Sequence, residues 1–257
     1  MSFKSNKLVR LSFIIAVCGS FSPLNAQASD HLNLEEGLPI EVEDAYPIPY
    51  KGLEFQGRFT YERNHGDDFL GLESRFEYGF APNWQGRITI PVQFGGSDVS
   101  DGLGDVGLEV FYNFNAESLN VPAFALSVSG HFPTSRESKG VDPEIKFIMT
   151  KTLGKGANLD RLHLNLAYTR NTDASSNERQ DLFQGILGYS RRLGSETLLV
   201  TDFVYEQEEE KNTDAYLLEL GIRHQVNPLT VFTVGAGAGL TGNSPDFRIN
   251  LGFQRSF

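Results

Sequence analysis

The sequence predicts an all-β fold, a single antiparallel up-and-down transmembrane β-barrel of about 12 strands. Three observations predict it. The final stretch, Asp246–Phe257, sets Phe247, Ile249, Leu251, Phe253 and Phe257 on one parity against Arg248, Asn250, Gln254 and Ser256 on the other. That period of two gives a strand one oily face and one wet face. The same pattern recurs upstream in segments of about 9 to 12 residues, near the length a tilted membrane strand needs. The chain also begins with Lys4, Lys7 and Arg10 and no acid, an apolar run Leu11–Val17, and Ala26-Gln-Ala28 as a small-x-small cleavage site. These are the parts of a secretory signal peptide.

The strands follow in order. Leu53–Tyr61 alternates Leu53, Phe55, Phe59 and Tyr61 with Glu54, Gln56, Arg58 and Thr60. Leu70–Phe80, Trp84–Phe94 and Gly104–Phe114 alternate as plainly. Val121–His131, Pro143–Lys151, Arg161–Thr169, Asp181–Tyr189, Thr197–Glu206, Ala215–His224 and Thr230–Leu240 precede the last strand. In Thr197–Glu206 both parities carry apolar residues, so the sequence leaves its faces open. Compact connections (Ala81–Asn83, Asn115–Asn120, Leu153–Asp160, Ser190–Glu196, Gln225–Leu229) alternate with more polar ones. The polar set is Glu62–Phe69, Gly95–Leu103, Phe132–Asp142, Arg170–Gln180, Gln207–Asp214 and Thr241–Pro245, mostly longer. Bacterial outer-membrane barrels keep the short end in the periplasm. An even strand count then puts both termini there. Aromatics near the strand ends, among them Tyr61, Tyr78, Trp84, Phe114, Tyr168 and Tyr189, suit interfacial girdles. Closure follows from the solvent, because an unpaired backbone N–H or C=O in hydrocarbon costs several kcal/mol.

The expected organisation is a signal peptide over 1–28, a periplasmic segment or partial plug over 29–50, and the barrel over 51–257. A rival lipoprotein cut at Ile15-Ala-Val-Cys18 is disfavoured by the bulk of Val17. Cleavage after Ala28 removes three cations and the chain's one cysteine, leaving 19 Lys and Arg against 33 Asp and Glu, a net charge of −14. That excludes disulfides and thiol chemistry, and argues against nucleic acid as a partner. The segment before the first strand carries Asp30, Glu35, Glu36, Glu41, Glu43 and Asp44. Ser29–Gly37 fits a loose tail. Leu38–Tyr50, with Ile40, Val42, Tyr46 and Ile48, fits an ordered lead-in or a plug against luminal arginines.

Gly102-Leu-Gly-Asp-Val-Gly107 matches the dinucleotide-binding glycine pattern, but it runs into a strand where that pattern must open a helix. The histidines at 31, 65, 131, 163 and 224 have no metal spacing. No serine stands in the His-x-Ser arrangement of barrel lipid hydrolases. The expectation is therefore a non-enzyme with no metal or cofactor. Glu206–Glu210 reads as a solvated acidic loop, or as a bridge to lipopolysaccharide through divalent cations. The candidate lumen-lining residues are Arg58, Glu73, Arg75, Glu77, Arg87, Asp105, Glu109, Glu144, Lys146, Glu219, Arg223 and Arg248, with Glu54 and His163 on the same parity. Such mixed charge either braces the wall as paired ladders or lines a path for a polar solute.

Gly102-Leu-Gly-Asp-Val106 leading into a strand, His131-Phe-Pro-Thr134 ending a later one, and the lead-in Leu38-Pro-Ile-Glu-Val-Glu-Asp44 resemble the outer-membrane family labelled putative MetA-pathway of phenol degradation. The likeness runs over nearly the whole mature chain. Ser135 stands where relatives carry glycine, and Arg255 where a second aromatic is common in the barrel-assembly signal that ends on Phe257. The resemblance implies passage or uptake of small, often aromatic, compounds. The expected function is an outer-membrane channel or uptake protein for a small solute. Its partners would be outer-membrane lipid, lipopolysaccharide and the barrel-assembly machinery. The alternatives are a closed structural or adhesion barrel and, third, a barrel lipid hydrolase.

Overall fold

The computed structural model describes residues 30–96, 101–136, 138–154 and 158–257. The leader expected over 1–28 lies outside them. Thirteen strands form: β1 (Leu53–Asn64), β2 (Asp67–Ala81), β3 (Trp84–Gly95), β4 (Gly102–Leu103), β5 (Val106–Asn113), β6 (Ala123–Phe132), β7 (Asp142–Thr152), β8 (Arg161–Arg170), β9 (Asp181–Arg192), β10 (Thr197–Gln207), β11 (Asp214–Asn227), β12 (Thr230–Gly239) and β13 (Phe247–Ser256). No helix occurs among the described residues. Twelve strands pair antiparallel with their neighbours in sequence. The ring closes where β1 meets β13, from Glu54↔Ser256 to Arg63↔Phe247. A closed ring has no open edge, which is what makes a sheet tolerable in hydrocarbon.

All twelve strands read from the sequence are present. β4 is an addition. β5 starts at Val106, and β3 changes register from Thr89↔Gly107 to Val92↔Leu103. The cause is Pro91, which has no N–H to give the ladder. Its carbonyl instead accepts the Gly104 N–H at 3.0 Å. A second difference is the expected loop Glu62–Phe69. Here β1 and β2 run on until Asn64 pairs with Asp67, leaving a two-residue turn. His65 (φ 51°) and Gly66 (φ 101°) both take positive φ, as tight hairpin turns of this kind require.

Alternation sorts the wall. Leu72, Phe76, Leu108, Val128, Leu166, Leu187, Leu220, Val234 and Leu251 face outward and are exposed, as a lipid-facing band demands. Aromatics cluster toward the strand ends. Trp84 lies 4.4 Å from Tyr112, and Tyr112 5.1 Å from Phe114, beside the short turns. Tyr168–Phe183 (5.3 Å) and Tyr205–Tyr216 (5.2 Å) sit toward the opposite rim. Alternate residues face inward, where twelve strands leave more room than their own side chains fill.

Candidate functional site

The lumen is occupied by the chain itself. Residues 32–50 enter between the short-turn ends, rise to mid-height and return to β1. Leu34, Leu38, Ile40, Val42, Ala45 and Ile48 are at most 5% exposed. Of the loose tail expected for Ser29–Gly37, Ser29 lies outside the described residues, and over 31–37 no loose tail forms, since Leu34 and Glu35 are as buried as the residues after them. Leu34, Ile40 and Val42 pack with Ile186, Leu198, Val200, Val204 and Leu217 of the wall. Ala45 packs with Phe111, Ala123, Ala125 and Ile148, with Tyr46 alongside. The inner wall carries apolar residues because an apolar segment lies against it.

This segment forms no regular sheet, so its backbone must find side-chain partners, since a buried unpaired amide is costly. The wall supplies them. The Val42 N–H donates to Asp202 (2.9 Å), Glu43 N–H to Asn165 (2.8 Å), Ala45 N–H to Thr150 (3.0 Å) and Ile48 N–H to Gln85 (2.8 Å). In return Arg223 donates to the Leu38 carbonyl (2.7 Å), and Asn113 and Asn165 to those of Ala45 and Glu43. Glycines on the wall give the segment room. A Cβ on Gly188 would lie 2.5 Å from Val42, and one on Gly235 would lie 2.2 Å from the Pro39 carbonyl oxygen. Gly235→Ala is thus expected to displace the segment without touching the lipid face. Limited proteolysis should show faster cleavage within 32–50 than in the unsubstituted chain.

Ion pairs tie the segment to the charged half of the wall. Arg87 reaches Glu35 (2.7 Å), Glu43 (2.8 Å) and Glu77 (2.5 Å), and Glu109 at 3.2 Å. Lys146 pairs with Glu36 (2.7 Å) and Glu43 (3.0 Å). Arg58 pairs with Glu73 (2.9 Å) and Glu41 (3.5 Å). Arg75 pairs with Glu73 and donates to the Glu36 carbonyl. Arg248 pairs with Glu62 (2.8 Å) and Glu41 (3.3 Å), and lies 3.8 Å from Glu219. Burial pushes Glu43 upward, but Lys146 and then Arg87 outweigh it and hold the carboxyl below its ordinary range. Asp44 has only Arg161 at 3.8 Å, and burial pushes it up to about 7 against that pull.

The docked Asp44 therefore binds a proton that the undocked one releases, between its ordinary range near 3.8 and about 7. Docking through this group is strongest below about 3.8, weakens as pH rises from there to about 7, and changes no further above it. Susceptibility of residues 32–50 to protease should rise between about pH 4 and pH 7 and then level off, and Asp44→Asn should flatten that slope. Asp44 accepts from Leu34 N–H and Tyr46 N–H on separate oxygens, so the amide keeps only one of the two bonds and the variant is read by its pH slope rather than by its overall susceptibility.

Of the residues picked from the sequence, Arg58, Glu73, Arg75, Glu77, Arg87, Glu109, Lys146, Glu219, Arg223 and Arg248 face inward around the segment or its ion pairs. Glu144 lies higher and accepts from Thr169 at 3.0 Å. It borders a cavity of about 180 Å³ above the segment, with Glu36, Arg58, Glu73, Arg75, Arg87, Glu109 and His131. Asp105 is the exception. It sits past the register change and accepts from Thr134 N–H (3.2 Å), Ser135 N–H (2.9 Å) and the Ser138 hydroxyl, so it braces a rim loop. The sequence reading missed Asp202, Asn165, Thr150, Gln85 and Asn113. Four of them are neutral, and what marks all five is the partner they meet.

One serine approaches a histidine. His163 Nε2 lies 2.9 Å from Ser190 Oγ, and Nδ1 lies 3.0 Å from Thr150 Oγ1. No carboxylate orients the ring, His163 is fully buried, and Thr150 is engaged by the segment. The group knits wall to segment rather than opening to a substrate.

The fold recurs in solved structures. The COG4313 outer membrane channel from Pseudomonas putida F1 matches with a TM-score of 0.62 at 14% identity, over 83% of this chain and 98% of that one. The NanC porin matches with a TM-score of 0.58 at 11% identity, over 80% of this chain and 100% of that one. The KdgM porin matches with a TM-score of 0.53 at 10% identity, over 79% and 99%. At such identities the likeness shows a shared outer-membrane barrel architecture. No curated protein matches significantly. The family model described as putative MetA-pathway of phenol degradation matches residues 55–257, the whole barrel, and the chain belongs to that family.

Proposed function

We propose that the protein is a non-catalytic outer-membrane channel or uptake protein for small solutes, and that residues 30–50 are its gate. The observation that carries this is a twelve-stranded barrel whose lower lumen is obstructed, among the described residues, by its own N-terminal segment. A cavity of about 180 Å³ lies directly above that segment. Two apolar clusters, along with many hydrogen bonds and ion pairs, hold the segment. Water can take over the polar contacts, since a net hydrogen bond is worth only about 1 kcal/mol, while the apolar clusters keep the closed state the resting one. The barrel-channel neighbours support the same reading. A small aromatic solute accords with the family's description, and the mixed charge around the cavity accords with a polar group on it.

A closed structural barrel is the second reading, favoured by the lumen filling itself. Planar-bilayer recording on the full chain separates the two. The channel reading expects brief openings from a closed baseline. A barrel silent at every voltage and pH favours the structural reading.

A further inference from the structure

We propose that the open pore passes cations in preference to anions, and that Asp202, Glu206 and Glu219 on the β10–β11 wall set that preference. This rests on the channel reading above and names the charge class of what the channel admits. Arg58, Arg75, Arg87 and Arg248 each hold a wall carboxylate: Glu73 for the first two, Glu77 and Glu109 for Arg87, and Glu62 for Arg248. These pairs do not involve the segment, so they survive its withdrawal. Such a guanidinium has little left with which to attract an anion; Lys146 and Arg161, which lose their segment partners, lie on β7 and β8, and Arg223 keeps Gln254.

The opposite wall differs. Asp202 and Glu219 face each other in register, and both are at most 2% exposed. Each gives one oxygen to the segment: Asp202 accepts from Val42 N–H at 2.9 Å and Glu219 from Glu41 N–H at 3.3 Å. Their other oxygens, Asp202 Oδ1 and Glu219 Oε1, take no hydrogen bond from the segment, and the two side chains interact with each other. The cation nearest to Glu219 is Arg248 at 3.8 Å, already shared with Glu62 and Glu41. Glu206 follows on the same inward parity of β10. Two desolvated carboxyl groups facing each other are an attractive step for a cation and a barrier to an anion.

The route also leads past them. The segment rests on glycines, with Gly188, Gly221 and Gly235 touching Val42, Pro39 and Ile40. Its withdrawal leaves these glycines facing the lumen among the inward side chains of Leu198, Val200 and Leu217. Gly188 pairs with Asp202, and Glu219 pairs with Asp202 on the other side, so both carboxylates border the space the segment leaves. A Cβ at Gly237 would come 2.7 Å from Glu219 Oε1, so the missing side chain there is what lets the Glu219 carboxyl lie against the β12 wall.

The test is the reversal potential of the full chain in planar bilayers under a KCl gradient. The expected sign is that of a cation-preferring pore, with a severalfold preference for K⁺ over Cl⁻. The double variant Asp202→Asn, Glu219→Gln keeps an acceptor oxygen for each segment N–H and should lose most of that preference. Glu206→Gln, which touches no segment atom, should lose part of it. An anion-preferring potential, or variants with unchanged potential, would overturn the proposal while leaving the channel standing. A chain that never conducts removes the channel reading and this inference with it.

Discussion

Arg87→Met is expected to destabilise the folded barrel by about 3–5 kcal/mol, the usual cost of removing one partner from a buried ion cluster. Methionine preserves much of the length and loses all of the charge. It leaves Glu35, Glu43, Glu77 and Glu109 converging on the space the guanidinium filled at 2.5–3.2 Å. Two of those acids belong to the segment and two to the wall, so their repulsion acts directly against docking. The same substitution at Lys146 removes only the pairs with Glu36 and Glu43 and should cost less. The temperature at which the folded band converts to the unfolded band on cold gels measures both. Equal stability of Arg87→Met and the unsubstituted chain would mean the carboxylates are neutral when docked.

Deleting residues 32–48 is expected to convert a closed barrel into a persistently conducting one, with mean current rising by at least about tenfold as packed side chains give way to water. The wall should survive. Every barrel strand keeps both ladder partners, and closure between β1 and β13 involves no residue of the segment. The loss falls on the inner apolar residues, Leu198, Val200, Val204 and Phe111, which pack with the segment or beside it and would face water. A lowered unfolding temperature should therefore accompany the higher current. Both readouts come from one preparation.

The barrel was legible because lipid and a wet lumen impose a period of two on every strand. Boundaries failed where local chemistry overrode that period. Pro91 cannot donate to the ladder, and the register slips beside Gly104 and Asp105. His65-Gly66 allows the tightest of turns, so the polar stretch around it is strand rather than loop. The ambiguous parity of Thr197–Glu206 held information of another kind. Leu198, Val200 and Val204 face inward because the segment offers Leu34, Ile40 and Val42 to them. An inner face with apolar residues was a sign that something apolar fills the lumen. Asp202 stayed hidden within that same mixed strand. The sequence shows charge and parity but not that an amide from residue 42 arrives at 2.9 Å.

The gate itself is tested most directly by locking it. A Cβ on Gly188 would lie 3.0 Å from the Cβ of Val42, within an ångström of the roughly 3.5–4.5 Å that a disulfide spans. With Cys18 replaced by Ser, Val42→Cys with Gly188→Cys would supply the protein's only thiols. Single-channel recording of this variant is expected to show no openings when oxidised, and openings like those of the unsubstituted chain after reduction. Equal currents before and after reduction, with the disulfide verified by mass, would show that solute passes without the segment moving.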